Sequence, residues 1–206
     1  AVLASCWLYV GLFIVAHDCM HGTLMPGWPR LNRRIGQLCL LLYAGFQLDA
    51  VREKHRAHHR DAGTAGDPDF HDREPQTFWH WYVKFLGEYF SWRQLVPIAT
   101  VSAVYIAALG ASPANVAVFW ALPAIASSLQ LFTFGTYLPH RRGTPAFTDR
   151  HNARSNAYPA WLSLLTCFHF GYHHEHHLAP AVPWWRLPEA HRALGASTGR
   201  RAGEAA

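Results

Sequence analysis

Residues 116–140 read VAVFWALPAIASSLQLFTFGTYLPH: 23 uncharged residues from Val116 to Leu138, then Pro139 and His140. A helix that crosses bilayer hydrocarbon needs ~20 predominantly apolar residues. This stretch therefore decides the fold class, an all-α integral-membrane chain. Just upstream, residues 96–111 are apolar and uncharged, and Ser112-Pro113-Ala114-Asn115 supplies turn residues. The two runs read together as a transmembrane hairpin. Further out, residues 2–16 and 35–48 are apolar but short of a span, and residues 161–168 form a brief apolar piece. The rest, chiefly 49–93 and the region after Pro139, is polar, aromatic and charged.

Composition agrees. Half of the 206 residues are hydrophobic and only 15% are charged, against roughly 25% in a soluble domain. The length suits one domain, residues 1–206. Basic residues exceed acidic ones by five, and nearly all of the excess is Arg. The arginines flank apolar runs with no nucleic-acid motif beside them, so no nucleic-acid partner is expected. The positive-inside rule accounts for them instead. Arg30, Arg33 and Arg34, then Arg52, Arg56 and Arg60, then Arg141, Arg142, Arg150 and Arg154 all belong on one, cytoplasmic, side. The 35–48 run then starts and ends on the same side and cannot cross. The first residue falls on the far side, so one more span is expected upstream of this N-terminus. Cys6, Cys19, Cys39 and Cys167 have no CxxC spacing and read as unpaired thiols.

The unusual number is fifteen histidines, and they cluster: HDCMH at 17–21, HRAHH at 55–59 and HHEHH at 173–177. Residues three and four apart share a helix face. His17 and His21 therefore point together, His55 points with His58 and His59, and His173 points with His176 and His177. A lone HxxxH is commonly a surface pair. Three such groups, each at a predicted cytoplasmic end of an apolar run, form a ligand set, and imidazole suits iron and zinc. Eight nitrogens exceed what one metal takes, so two metals are implied. His140, at the cytoplasmic end of the 116–138 span, is a ninth candidate. Asp18, Asp67, Asp69 and Glu175 stand beside the groups. Metal-bound His usually donates its second N–H to a carboxylate or carbonyl, which is one role for these acids. Asp67-Pro68-Asp69 also reads as a plain turn. His71, His80, His151, His169, His174 and His191 lie off the paired spacing and are set aside. Residues 78–82 (FWHWY) and Trp184-Trp185 are expected at the membrane interface.

HxxxH, HxxHH and HxxHH in this order, with a hairpin between the second and third, resemble the membrane fatty-acid desaturase and hydroxylase superfamily. The stretches AHDCMHG (16–22), KHRAHHR (54–60), GTAGDPDF (63–70), FGTYLPHR (134–141) and FGYHHEHHL (170–178) are similar to β-carotene ketolases of the bacterial type. The resemblance implies transmembrane helices with a cytoplasmic cap carrying the three boxes. It implies two iron ions held by His17, His21, His55, His58, His59, His173, His176 and His177, with His140 as the family's extra histidine. O2 would be the co-substrate, a ferredoxin-type protein the electron donor, and a carotenoid dissolved in membrane lipid the substrate. The implied reaction takes the ring C4 methylene to an alcohol and then to a ketone. Position 19 is Cys where the family often has a small residue. No GxGxxG follows a strand, so electrons are expected from outside the chain. Three rivals remain open: a fatty-acyl desaturase, a carotenoid ring hydroxylase, and a membrane metal carrier. The carrier is disfavoured because residues 96–138 hold no His or acid.

Overall fold

The computed structural model describes residues 1–74, 76–143 and 146–204. Among the described residues nine helices carry the architecture: α1 Val2–His21, α2 Pro29–Ala44, α3 Leu48–Asp61, α4 Phe78–Tyr89, α5 Trp92–Ala103, α6 Pro113–His140, α7 Ala160–Cys167, α8 His173–Leu178 and α9 Leu187–Glu204. Among the described residues there is no strand. Among the described residues two helices, α1 and α6, are long and apolar enough to cross a membrane. The apolar run at residues 2–16 looked too short because it stops at the first histidine. The helix itself continues through the box to His21 and reaches 20 residues.

α1 and α6 pack lengthwise with their C-terminal ends together. Val10 and Ile14 of α1 meet Leu131 of α6 and the Cys167–Phe168 end of α7 in one buried cluster. α2 runs back along α1, so close that a Cβ on Gly36 would lie 2.6 Å from Cys19 Cβ. Gly45 then takes φ 72 and reverses the chain, a conformation that favours glycine. On the return, the Gln37 side chain donates to the Phe46 carbonyl (3.1 Å) and accepts from the Leu48 N–H (3.0 Å). These bonds satisfy backbone groups that would otherwise be buried without partners. Leu48 lands beside Gly36, so both ends of the 35–48 run sit at one level, as the charge pattern requires.

α5 continues as a π-helical turn, Val104–Ala108, and pairs with α6 through Tyr105 and Trp120. The hairpin bend lies at residues 109–112, earlier than expected from composition. Ser112 accepts the Asn115 N–H and Pro113 opens the helix, so 113–115 are already helical; proline suits the first helical position, where its missing N–H is not needed. α4 closes the other side, burying Trp81 and Tyr82 against Phe132 of α6. The outward faces of α1, α2, α5, α6 and α7 expose large apolar side chains, among them Leu8, Leu42, Val96, Phe119, Ile125 and Trp161. An apolar exterior of this extent is a surface for lipid or protein. With α1 and α6, it associates the chain with a membrane.

Candidate metal centre

Four helices deliver the nine box and near-box histidines to one place. α1 brings His17 and His21 at its C-terminal end, where Gly22 (φ 76) stops it. α3 brings His55, His58 and His59 on successive turns, and α6 ends on His140. α8 is only six residues long and is held from outside. Asn156 N–H donates to the Gly171 carbonyl (2.8 Å), and Tyr172 O–H to the Tyr158 carbonyl (2.7 Å). The chain reaches α8 through Phe168 and His169, both at positive φ.

The nitrogens sort into two groups. His17, His21, His55, His59 and His176 form one; His58, His140, His173 and His177 form the other. Each group draws on separate boxes, so neither exists before the chain has folded. In the first, His55 Nε2 lies 2.8 Å from His17 Nε2, 2.8 Å from His21 Nε2 and 3.0 Å from His59 Nε2, and His59 Nε2 lies 2.9 Å from His176 Nε2. In the second, His58–His177 is 3.1 Å, and His140–His173 and His173–His177 are both 3.0 Å.

Proton placement tests whether a cation fits. His58 Nδ1 donates to Asp67 (2.9 Å) and His140 Nδ1 to the Asn152 carbonyl (2.8 Å). Each ring therefore carries a proton on its outer nitrogen and turns Nε2 inward. Burial, then neighbouring histidines, hold His55, His173, His176 and His177 well below the usual imidazole range and bring His59 to about 2. These five rings are neutral. Neutral imidazoles about 3 Å apart cannot all donate to one another. Metal–imidazole bonds of about 2.1 Å at right angles place neighbouring nitrogens about 3 Å apart, so the residues fit a metal centre. The four cysteines are free, buried and in neither group, while His58 also shares a third cluster with Asp67 and Asp69.

The acidic neighbours divide. Asp67 accepts from His58 and from the backbone N–H groups of Gly63 (2.9 Å) and Asp69 (2.8 Å). Burial pushes its carboxyl up, but His58 and these N–H groups outweigh it and hold it below the usual range. His58 is the mirror image: burial pulls it down, and Asp67 and Asp69 together leave it raised. Asp69 stands 3.8 Å behind His58, accepts from the Tyr89 hydroxyl, and gives its carbonyl to the Trp81 indole N–H. Asp18 lies 3.5 Å from His17 Nδ1, while its other oxygen accepts the Trp184 N–H. Glu175 touches none of the nine. It accepts from Ser155 and His191 instead. On a short helix, position 175 points away from 173, 176 and 177, so adjacency in sequence misplaces it.

Two further expectations change. Of residues 78–82, Trp79 and His80 are exposed. Phe78, Trp81 and Tyr82 share α4's inner face, packing on Phe132. Trp184 packs on Phe168 and His169, leaving Trp185 outside. Asn152, which orients His140, carried no motif. Its φ of 43 is the one signal, since Asn tolerates that region better than most residues.

A cavity of about 560 Å³ runs between α1, α2, α4, α5 and α6, walled by apolar and aromatic side chains such as Phe13, Phe85, Phe90 and Trp120. Its inner end reaches His17, His55, His58 and His173. Phe170 packs edge-on against His17 at 4.5 Å.

The fatty acid desaturase family model matches residues 1–98 and 88–202. A β-carotene ketolase of Paracoccus sp. strain N81106 is 57% identical over 187 residues, covering 90% of this chain and 76% of the relative. Another β-carotene ketolase, from Paracoccus sp. strain PC1, is 53% identical over 92% of this chain and 77% of its own length. A zeaxanthin 4-ketolase of Chlamydomonas reinhardtii is 39% identical over 89% of this chain and 41% of its own length. The chain belongs to the fatty acid desaturase family. Within that family its place is among the β-carotene ketolases.

The contrast between Asp67 and Glu175 sets a test. Asp67→Asn removes the charge behind His58 and should weaken metal retention by about 10–100-fold, read as metal content after dialysis against a graded chelator. Glu175→Gln should retain metal as the parent does. Equal loss in both variants would show general destabilisation and not a specific role for Asp67.

Proposed function

We propose that this chain is a carotenoid ketolase, an O2-dependent oxidoreductase that converts the ring C4 methylene of β-carotene to a ketone. The products would be echinenone and canthaxanthin, or astaxanthin-type compounds from hydroxylated carotenoids. The observation that carries the reading is the apolar cavity ending on His17, His55, His58 and His173. Such a cavity takes a ring that lives in lipid and excludes water around the reacting carbon. Similarity to the two ketolases from Paracoccus chooses a ring carbon over an acyl chain.

The nine histidines are assigned as ligands of two iron ions, five at one position and four at the other, following the two nitrogen groups. Bound there, the metals supply O2 activation and oxidation of an unactivated C–H bond. The protein's own work is local. Asp67 fixes the tautomer of His58, the Asn152 carbonyl fixes that of His140, and Phe170 packs against His17. Electrons come from a ferredoxin-type donor. The whole chain, residues 1–206, forms one domain. It is multi-pass in a bacterial inner membrane, with the histidine cap facing the cytoplasm and membrane lipid around α1 and α6.

Three measurements test this reading. Iron analysis of detergent-purified protein should give about two per chain, lost on His58→Ala or His176→Ala; one metal per chain, or zinc with full activity, overturns the assignment. Cysteine labels near Arg30, Asp61 and Arg150 should react from the cytoplasmic side and a label at Ser112 from the other; a far-side label at Asp61 refutes the topology. Cells making β-carotene together with this chain should turn from yellow-orange towards red as echinenone and canthaxanthin accumulate. An alcohol with no ketone supports the ring hydroxylase instead, and newly unsaturated lipids with unchanged carotenoids support the desaturase.

A further inference from the structure

The cavity's hydroxyl groups are nearly all occupied. Tyr82 O–H pairs with Ser128 Oγ at 2.7 Å, Ser127 donates to Tyr43 at 3.3 Å, and Tyr89 donates to Asp69. Thr136 also lines the cavity and is only 5% exposed, yet its hydroxyl has no hydrogen-bond partner among the described residues. The other helical threonines in apolar surroundings bond back to a carbonyl: Thr100 to Val96 (2.9 Å), Thr133 to Leu129 (2.7 Å) and Thr166 to Leu162 (2.9 Å). Thr136 lies inside the π-helical turn Thr133–Tyr137, where backbone pairing shifts to five residues, while Thr133 only opens that turn and reaches back into the regular helix before it. The residue borders the cavity's open space. The position is informative. Thr136 stands four residues before His140, on the same helix face, and next to Gly135, where a Cβ would lie 3.3 Å from the Phe170 ring. An unpartnered hydroxyl in an apolar site is costly unless a ligand satisfies it.

We propose that Thr136 is a specificity residue whose hydroxyl hydrogen-bonds the C4 alcohol formed in the first oxidation, holding that carbon in place for the second. The inference rests on the ketolase reading above. In the first round, O2, two electrons from the donor and two protons convert the C4 methylene to an alcohol and one water. The second round consumes the same reactants, breaks the remaining C4–H bond and gives a gem-diol and a second water. The diol then loses water to leave the ketone. β-Carotene itself offers Thr136 no oxygen, so the hydrogen bond arises only once the alcohol exists. It favours retention of the half-oxidised ring over its release.

The test uses β-carotene-producing cells expressing the parent chain, Thr136→Val, which nearly keeps the shape, and Thr136→Ser, which keeps the hydroxyl. Pigments are extracted and the ratio of 4-hydroxy to 4-keto rings is measured. Thr136→Val should raise that ratio about five-fold, the equivalent of one neutral hydrogen bond of about 1 kcal/mol, and Thr136→Ser should restore it to within two-fold of the parent. An unchanged ratio in Thr136→Val, or an equal rise in Thr136→Ser, overturns the proposal. A defect confined to zeaxanthin assigns Thr136 to the C3 hydroxyl and likewise overturns it. Should Thr136→Val yield no product, the parent protein decides alone. Purified in detergent and offered equal amounts of both pigments, it should retain 4-hydroxy-β-carotene over β-carotene by about the same factor, and equal retention refutes the idea. A parent that makes no ketone at all refutes the ketolase reading itself, a separate outcome.

Discussion

Everything in this molecule answers to one constraint: nine imidazoles converge in a largely buried place, and at least five of them are held neutral by burial and by one another. Desolvation favours the neutral ring over the charged one, and a neutral ring can give only one proton. Two of the rings spend theirs outward, on Asp67 and on the Asn152 carbonyl. The inward nitrogens face each other at about hydrogen-bond distance. A cation would take up their electron density, and binding it there would couple to folding of this region. The rest of the chain can be understood as what holds these rings at one level. α1 must end where α6 ends, α3 must return to the same level after α2, and α8 must be pinned from outside because it is too short to hold itself.

That requirement explains the re-entry at Gly45. α2 enters alongside α1, and a full crossing would carry the second box to the opposite side. The chain turns back at Gly45, and Gln37 satisfies the returning backbone with both ends of its amide. Without such a partner an uncovered peptide group in apolar surroundings would cost more than one ordinary hydrogen bond contributes. The close approach at Gly36 makes the return compact, since Cys19 and Leu48 occupy the space a larger residue would need.

The sequence made the metal centre more legible than its supports. All nine histidines were readable because helical spacing sets which side chains share a face, and because His140 stands where an apolar span stops. Asp67 was readable as an acid near a box, although a plain turn fitted it equally well; in the structure the turn and the contact with His58 are one arrangement, since backbone N–H groups of the turn hold the carboxylate that His58 meets. Glu175 shows the limit of adjacency, lying inside a box and pointing out of it. Asn152 was illegible, because a carbonyl that orients a histidine can come from any residue and only tertiary structure selects it. The aromatic run at 78–82 was misjudged for a related reason: composition marks an interface, whereas the helical period sends Phe78, Trp81 and Tyr82 inward.

The supports also explain how one helix serves both lipid and chemistry. α6 presents Phe119 and Ile125 outward, lines the cavity with Ser128 and Thr136, and ends on His140. Thr133, which opens the π-helical turn, still reaches back to Leu129 in the regular helix before it, whereas Thr136 lies inside the turn. The π-helical turn at Thr133–Tyr137 breaks that register within one turn of the metal centre. Pro139 follows, and it cannot donate a backbone hydrogen bond, so the last turn is weakened at the same place. Irregular backbone inside a bilayer is tolerated where it lines a cavity or is covered by protein, and here the covering is supplied by Phe170 against Gly135. The irregular turn and the open hydroxyl thus have a common origin, and both lie between the apolar cavity and the nitrogens at its end.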